Sequence, residues 1–257
     1  IGLSLGEIRR KVMAKPQYLV GHDVEVFVTD VTGIVPVCGR VGGTKKEPIA
    51  LEGSTVGTTY QEDGVALELG MTPCLAQEFY SKIDRCFDEG YRLAAGKGLT
   101  IASGSSYTFT EASMSPFPEL LVLGCSPDQL ASERGMTRQP VTAEVLGTTR
   151  CTGGHLHFSF AKGGTVTDPR NSNNVPVWAI VDMLDAFALM FYKYHDLSGQ
   201  GKRAMHYGLP GLYRDKPYGL EYRSPDNTWF FQNDDIVEQF IVNCSKVVQA
   251  CNELSPT

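Results

Sequence analysis

The sequence predicts an α+β fold: an antiparallel sheet with helices packed on one face. Two observations carry this. Short β-rich runs come in pairs joined by Asp/Gly turns, as hairpins do, and long stretches with four-residue apolar spacing stand apart from them. The regular strand–helix alternation that marks a parallel sheet is missing.

Taken in order, Tyr18 to Thr29 alternates around β-branched residues and reads as a strand, turned at Asp30 to Gly33 onto a partner at Ile34 to Cys38. A glycine-rich loop from Gly39 to Pro48 follows. Extended segments are expected at Ser54 to Tyr60 and Val65 to Leu69, with Gln61-Glu62-Asp63-Gly64 as a tight turn. Thr72-Pro73 opens a helix over about Leu75 to Ala95, where Phe79, Ile83, Phe87 and Tyr91 form one stripe. Further strands are expected at Leu99 to Ala102, Tyr107 to Thr110 and His155 to Phe160. Pro, Gly, Ser and Thr are dense from Ser113 to Arg150, which reads as irregular. Helices are expected over about Pro176 to His195 and Asp234 to Glu253. The Gly/Pro/Tyr/Arg-rich stretch between them, Ser198 to Trp229, ends in a short strand, Gly219 to Arg223.

The 257 residues show no internal repeat or linker, so residues 13–257 read as one domain. Residues 1–12 read as an N-terminal extension without an apolar core of signal-peptide length, and Met13 as the native start. A net charge of −6, from 23 Lys+Arg against 29 Asp+Glu, gives no broad cationic face for a phosphate backbone, so nucleic acid is not an expected partner. The most apolar stretch, Val175 to Tyr194, carries Asp182 and Asp185 and starts with Pro176, which describes a buried helix rather than a membrane span. Seven cysteines without paired short spacing read as reduced thiols of a cytoplasmic protein.

Chemistry concentrates in residues two apart on expected strands, which project to one face. Asp23-Val24-Glu25 places two carboxylates together, His155-Leu156-His157 two imidazoles, and Glu221-Tyr222-Arg223 a carboxylate and a guanidinium. Glu68 alternates with Val65, Leu67 and Leu69 as a fourth charge on a sheet face. One such pair is what any solvated strand shows. Four sites on separate strands of one sheet instead suggest carboxylates and a histidine converging on hard divalent cations, because like charges repel unless a cation lies between them. Arg150, Arg203, Arg214, Lys216 and Arg223 supply donors suited to phosphate oxygens. Metal ligands and arginines around one sheet point to phosphoryl-transfer chemistry.

These residues carry a family resemblance. In order, they are Gly21-His22-Asp23-Val24-Glu25, Gly42-Gly43-Thr44-Lys45 with Pro48, and Asp63-Gly64-Val65-Ala66-Leu67-Glu68. Gly124-Cys125-Ser126-Pro127-Asp128, Arg150 with Gly153-Gly154-His155-Leu156-His157, and the run from Tyr207 to Arg223 follow. Over Tyr18 to Trp229 the chain resembles the phage-type carboxylate–amine ligases, the type 2 amidoligases related to glutamine synthetase and glutamate–cysteine ligase. The run from Tyr207 is the most specific part.

The resemblance implies a catalytic sheet of glutamine-synthetase type and an ATP- and Mg²⁺-dependent reaction, with two or more ions and Mn²⁺ as an alternative. A carboxylate attacks the γ-phosphate and an amine displaces phosphate from the acyl phosphate. It implies Asp23, Glu25, Glu68, Glu221 and one of His155 and His157 as metal ligands, with His155 favoured because it directly follows the glycines. It implies Arg223 as a phosphate-binding arginine, and Arg150, Arg203 and Arg214 as holding phosphate or the acceptor carboxylate. Lys45, outside any Walker-type loop, and Lys216 are candidate nucleotide contacts beside Arg214 and Arg223.

Asp63 reads either as a base toward the incoming ammonium or as a turn residue before Gly64. Asp23 stands where glutamine synthetases more often carry glutamate, one methylene longer. The expected partners are small-molecule or peptide carboxylates and amines, with a host-cell cytoplasmic location if the chain is phage-encoded and oligomerisation left open. The alternatives are a guanidino-kinase-like phosphotransferase on the same sheet and a non-catalytic phage structural or host-interaction protein. His22, His195 and His206 read as packing or surface residues, and Asp182 and Asp185 as the solvent face of a helix. Tyr207, Tyr213, Tyr218 and Tyr222 read as adenine-stacking rings or buried struts.

Overall fold

The computed structural model describes residues 17–121, 128–138, 142–162, 165–167, 176–190, 203, 208–231 and 234–253. The expected extension at residues 1–12, His195, His206, Tyr207 and Gly124 to Pro127 lie outside these.

The fold class is the expected one, a large antiparallel sheet with its long helices on one face. The strands are β1 (Gln17–Asp30), β2 (Gly33–Val35), β3 (Ile49–Ala50), β4 (Thr59–Asp63), β5 (Ala66–Gly70), β6 (Cys74–Leu75), β7 (Thr100–Ala102), β8 (Ser106–Thr108), β9 (Asp128–Leu130), β10 (Met136–Arg138), β11 (Thr149–Cys151), β12 (Gly154–Lys162), β13 (Thr165–Thr167), β14 (Leu212–Lys216) and β15 (Gly219–Tyr222). The main path through the sheet runs β10-β9-β14-β15-β12-β1-β5-β4-β3. β1 is its spine, pairing β12 over Gln17 to Val24 and β5 over Asp23 to Val26.

Alternation decides which face each side chain takes. Val20, Val24, Val26 and Val28 of β1 are buried with Leu67, Leu69, Leu156, Phe158, Leu220 and Tyr222. The three main helices cover that face: α1 (Ala76–Gly96), α2 (Val177–Leu184) and α3 (Asp234–Glu253). Phe79 and Ile83 of the α1 stripe are buried, while Phe87 and Tyr91 pack against the core edge-to-face with each other. His22 lies on this apolar side between Phe79 and Phe230, a packing histidine as expected, and burial pushes its pKa down to about 3. The opposite face carries the odd-numbered β1 positions, Asp23 and Glu25.

Several local expectations change. Ser54 to Gly57 is not a strand, because the buried Glu89 gathers that loop. It accepts from Ser54 Oγ at 2.6 Å, Thr55 N–H at 3.0 Å and Thr58 Oγ1 at 2.5 Å. β4 runs on to Asp63, and the turn is the two residues Gly64-Val65, with Gly64 at φ +60° in the first turn position. The stretch from Ser113 to Arg150 holds short strands and helical turns, including the β9–β10 hairpin. The segment before Gly219 holds β14, paired to both β15 and β9.

The helix expected over Pro176 to His195 is α-helical over Val177–Leu184, passes through a π-helical turn at Asp185–Leu189 and is α-helical again at Met190; residues 191–195 lie outside those described. Asp185 is not on a solvent face. Its Oδ1 accepts from the Tyr222 hydroxyl at 2.5 Å, and burial pushes its pKa up to about 6. Among the described residues no helix is long and apolar enough to cross a membrane, and the six described cysteines are free thiols.

Candidate active site

The open face of the sheet gathers most of the charged residues singled out above. Across neighbouring strands stand Asp128 on β9, Arg214 and Lys216 on β14, Glu221 on β15 with Arg223 just beyond it, His155 and His157 on β12, Asp23 and Glu25 on β1, Glu68 on β5, and Asp63 on β4. Register makes the neighbours: His157 pairs with Glu221, Asp23 with His155, Glu25 with Glu68, and Arg214 with Glu221.

Among the described residues, two three-residue groups have the spacing of metal ligands, each with its ligand atoms all within 4.8 Å of one another: Asp23, His157 and Glu221, and Glu25, Asp63 and Glu68. Asp63 both closes β4 directly before the Gly64-Val65 turn and lies inside the second group. The histidine in the first group is His157 rather than the favoured His155. His157 Nε2 lies 2.8 Å from Asp23 Oδ1, whereas buried His155 faces Asp23 at 3.4 Å and Arg223 Nη1 at 3.1 Å through Nδ1. Burial and the Arg223 charge hold His155 well below the usual imidazole range. Burial also opposes charge on His157, but Asp23 and Glu221 outweigh it and raise its pKa. Asp23 is held well below the carboxylate range by the two histidines, against the opposing effect of burial.

The two groups differ in counter-charge. Glu221 is ringed by cations: Lys216 Nζ at 2.6 Å, Arg214 Nη1 at 3.5 Å, and Arg223 Nη1 in direct contact. The Glu25 group has Lys45, which reaches Asp63 at 3.5 Å with its side chain 66% exposed, and the Arg223 charge acting on Glu25 from further off. Two unit charges 4.8 Å apart repel by roughly 3 kcal/mol at an effective dielectric of about 20. Ionising all three carboxylates together is therefore costly, and a bound cation would offset the cost. The titration follows: burial and the neighbouring carboxylates push Glu68 up to about 10 and Glu25 up to about 7. This all-oxygen set fits a hard divalent cation, and the Asp23–His157–Glu221 set fits one that tolerates an imidazole.

The supporting contacts are specific. Gly153 N–H donates to Glu25 Oε2 at 2.7 Å, and Gln61 Nε2 donates to Glu68 Oε1 at 2.7 Å. A Cβ on Gly153 would lie 2.1 Å from the His155 ring, so glycine is what lets the backbone meet Glu25 there. Glu62, on the strand beside Glu68, accepts from the N–H groups of Gly39, Arg40, Val41 and Gly42 at 2.8 to 2.9 Å, tying down the loop that presents Lys45. Tyr218 stacks on His157 and meets its Nδ1 through the phenol oxygen. It is the outer partner that fixes the ring for ligation through Nε2. Tyr218→Phe is expected to lower Mn²⁺ affinity at this group about tenfold, read by titration of bound Mn²⁺.

Two expected substrate-facing arginines are not brought to this face. Arg150 is buried and donates to the carbonyls of Gly147 at 2.8 Å, Thr149 at 2.7 Å and Leu120. Arg203, 0% exposed, donates to the carbonyls of Thr152 at 2.8 Å, Pro225 at 3.1 Å and Ser224 at 3.4 Å. Tyr213 and Tyr222 belong to the apolar side and are unavailable for stacking on a base. Asp128, singled out in the sequence only as the end of the Gly124-to-Asp128 motif, joins the site through the β9–β10 hairpin, which the composition of the segment conceals.

No protein-family model matches the chain. No curated protein matches it either. Among solved structures, one described as a novel glutamine synthase homolog aligns with a TM-score of 0.44 at 12% identity. The alignment covers 96% of this chain, which spans 58% of that structure's length.

Proposed function

We propose that the chain is an ATP- and Mg²⁺-dependent carboxylate–amine ligase working through an acyl phosphate. One observation carries this reading: a carboxylate group short of counter-charge, Glu25, Asp63 and Glu68, shares a sheet face with a cation cluster, Arg214, Lys216 and Arg223. Glu25, Asp63 and Glu68 would hold one divalent cation, and Asp23, His157 and Glu221 another. Bound there, such ions neutralise polyphosphate charge. Arg214, Lys216 and Arg223 would orient the phosphoryl oxygens, and Lys45 would close the opposite edge. Asp63, at the strand end beneath Lys45, would serve the divalent cation of its group as a ligand, which leaves its carboxylate engaged and not available as the base toward the incoming ammonium.

The test is incubation of the purified chain with ATP, Mg²⁺ and pooled amines and carboxylates. The expected result is phosphate release with a product lighter by one water than its two substrates. A product gaining a phosphate would instead indicate a phosphotransferase, and the lack of ATP binding with Mg²⁺ would overturn the reading.

A further inference from the structure

We infer that Asp128 is a positioning residue that sets the two guanidinium groups of the proposed phosphate site; the inference rests on the anion-binding role given to them above. Asp128 opens β9, two strands away from Glu221, and its Oδ1 lies 2.9 Å from both Arg214 Nε and Arg223 Nε. The Nη1 atoms of the same two arginines lie at Glu221 Oε1. Each guanidinium is therefore held at its Nε edge by Asp128 and directed at its Nη end toward the ligand face. The contacts with Asp128 are close ion pairs.

The enclosure makes the pairing matter. The side chains of Asp128, Arg214 and Arg223 are 13%, 12% and 4% exposed, so water screens their charges poorly. Three cations, Arg214, Lys216 and Arg223, meet two carboxylates, Asp128 and Glu221. Without Asp128, three cations would crowd one carboxylate, and two guanidinium groups side by side would repel and turn apart. A misaimed guanidinium loses the bidentate geometry that makes arginine selective for phosphate oxygens.

A plain electrostatic contribution predicts the opposite sign. Removing a negative charge beside an anion site should tighten anion binding, whereas removing a positioning residue should weaken it. The probe is inorganic triphosphate with Mg²⁺, titrated calorimetrically into wild type, Asp128→Asn, Arg214→Gln and the double variant, with each fold checked by thermal melting. Asp128→Asn is expected to bind about tenfold more weakly despite its lost negative charge. In the Arg214→Gln background the same change should have less than half that effect, because one of the groups it positions is gone. Should Asp128→Asn not fold, Asp128→Glu keeps the charge and moves the oxygens by a methylene; weaker binding there supports positioning, and unchanged binding overturns it. Equal or tighter triphosphate binding by Asp128→Asn, or full additivity with Arg214→Gln, overturns the assignment alone. Failure of the wild type to bind triphosphate removes the phosphate site itself.

Discussion

Glu68→Gln is expected to raise the melting temperature of the metal-free protein by roughly 6–10 °C at pH 7 while lowering turnover of the proposed reaction at least about 100-fold. The opposed effects share one cause. Burial, with Asp23, Glu25 and Asp63 close by, pushes the Glu68 pKa up to about 10, far above its value in the unfolded chain. A carboxyl whose folded pKa is raised destabilises the fold above its unfolded pKa. The loss is absent below about pH 4.5 and grows as pH rises toward 10. Between pH 4.5 and 7 the linkage amounts to ~3 kcal/mol, an upper value for a group coupled to its neighbours.

Glutamine fits the same space, and its carbonyl can keep the bond from Gln61 Nε2, so the substitution removes the titrating carboxyl and little else. Wild type without metal should therefore lose stability steadily from pH 5 to 9, and Glu68→Gln much less steeply. Saturating Mg²⁺ should stabilise wild type more than the variant, because the ion binds only the folded carboxylate group. Melting curves with EDTA and with Mg²⁺ across that pH range check each part. An unchanged or lower melting temperature for Glu68→Gln in EDTA would show that the carboxylates do not strain the fold.

What was legible in the sequence was alternation. Val20, Val24 and Val26 against Asp23 and Glu25 already separate a core face from a chemical face, and Leu156 between His155 and His157 does the same. α3 runs over Asp234–Glu253 as its pattern predicts. What was not legible depends on register and burial, which a periodicity of two cannot supply. Both histidines of the His-Leu-His pair point to the same face, but only the pairing of His157 with Glu221 places it in a ligand group. Asp128 enters through a hairpin whose Ser- and Gly-rich surroundings read as irregular. Arg150, Arg203, Arg214 and Arg223 carry the same side chain in similar company, and contact with main-chain carbonyls or with carboxylates decides between support and site.

Arg203→Ala tests that last distinction, and the expected loss is of folding rather than of turnover alone. Arg203 links two parts of the backbone that present site residues. Its Nε donates to the carbonyl of Thr152, three residues before His155, and its Nη groups donate to the carbonyls of Ser224 and Pro225, just past Arg223. Packing is close enough that a Cβ on Gly208 would fall 1.6 Å from Nη1. Alanine would leave a cavity, strip three buried carbonyls of a charged donor, and deprive the fully buried Asp226 of a nearby positive charge. Losses of this kind destabilise by about 3–5 kcal/mol, a large part of the stability of a typical domain.

Lysine keeps the charge but has one ammonium in place of a fork, so Arg203→Lys should restore only part of the loss. Arg214→Gln, by contrast, should weaken triphosphate binding with a smaller loss of urea midpoint than Arg203→Ala, because Arg223 still meets both of the carboxylates that Arg214 engages. Urea unfolding beside triphosphate titration separates the two kinds of arginine. Wild-type stability in Arg203→Ala with loss of turnover alone would place Arg203 in the catalytic machinery and overturn its reading as a buried tie.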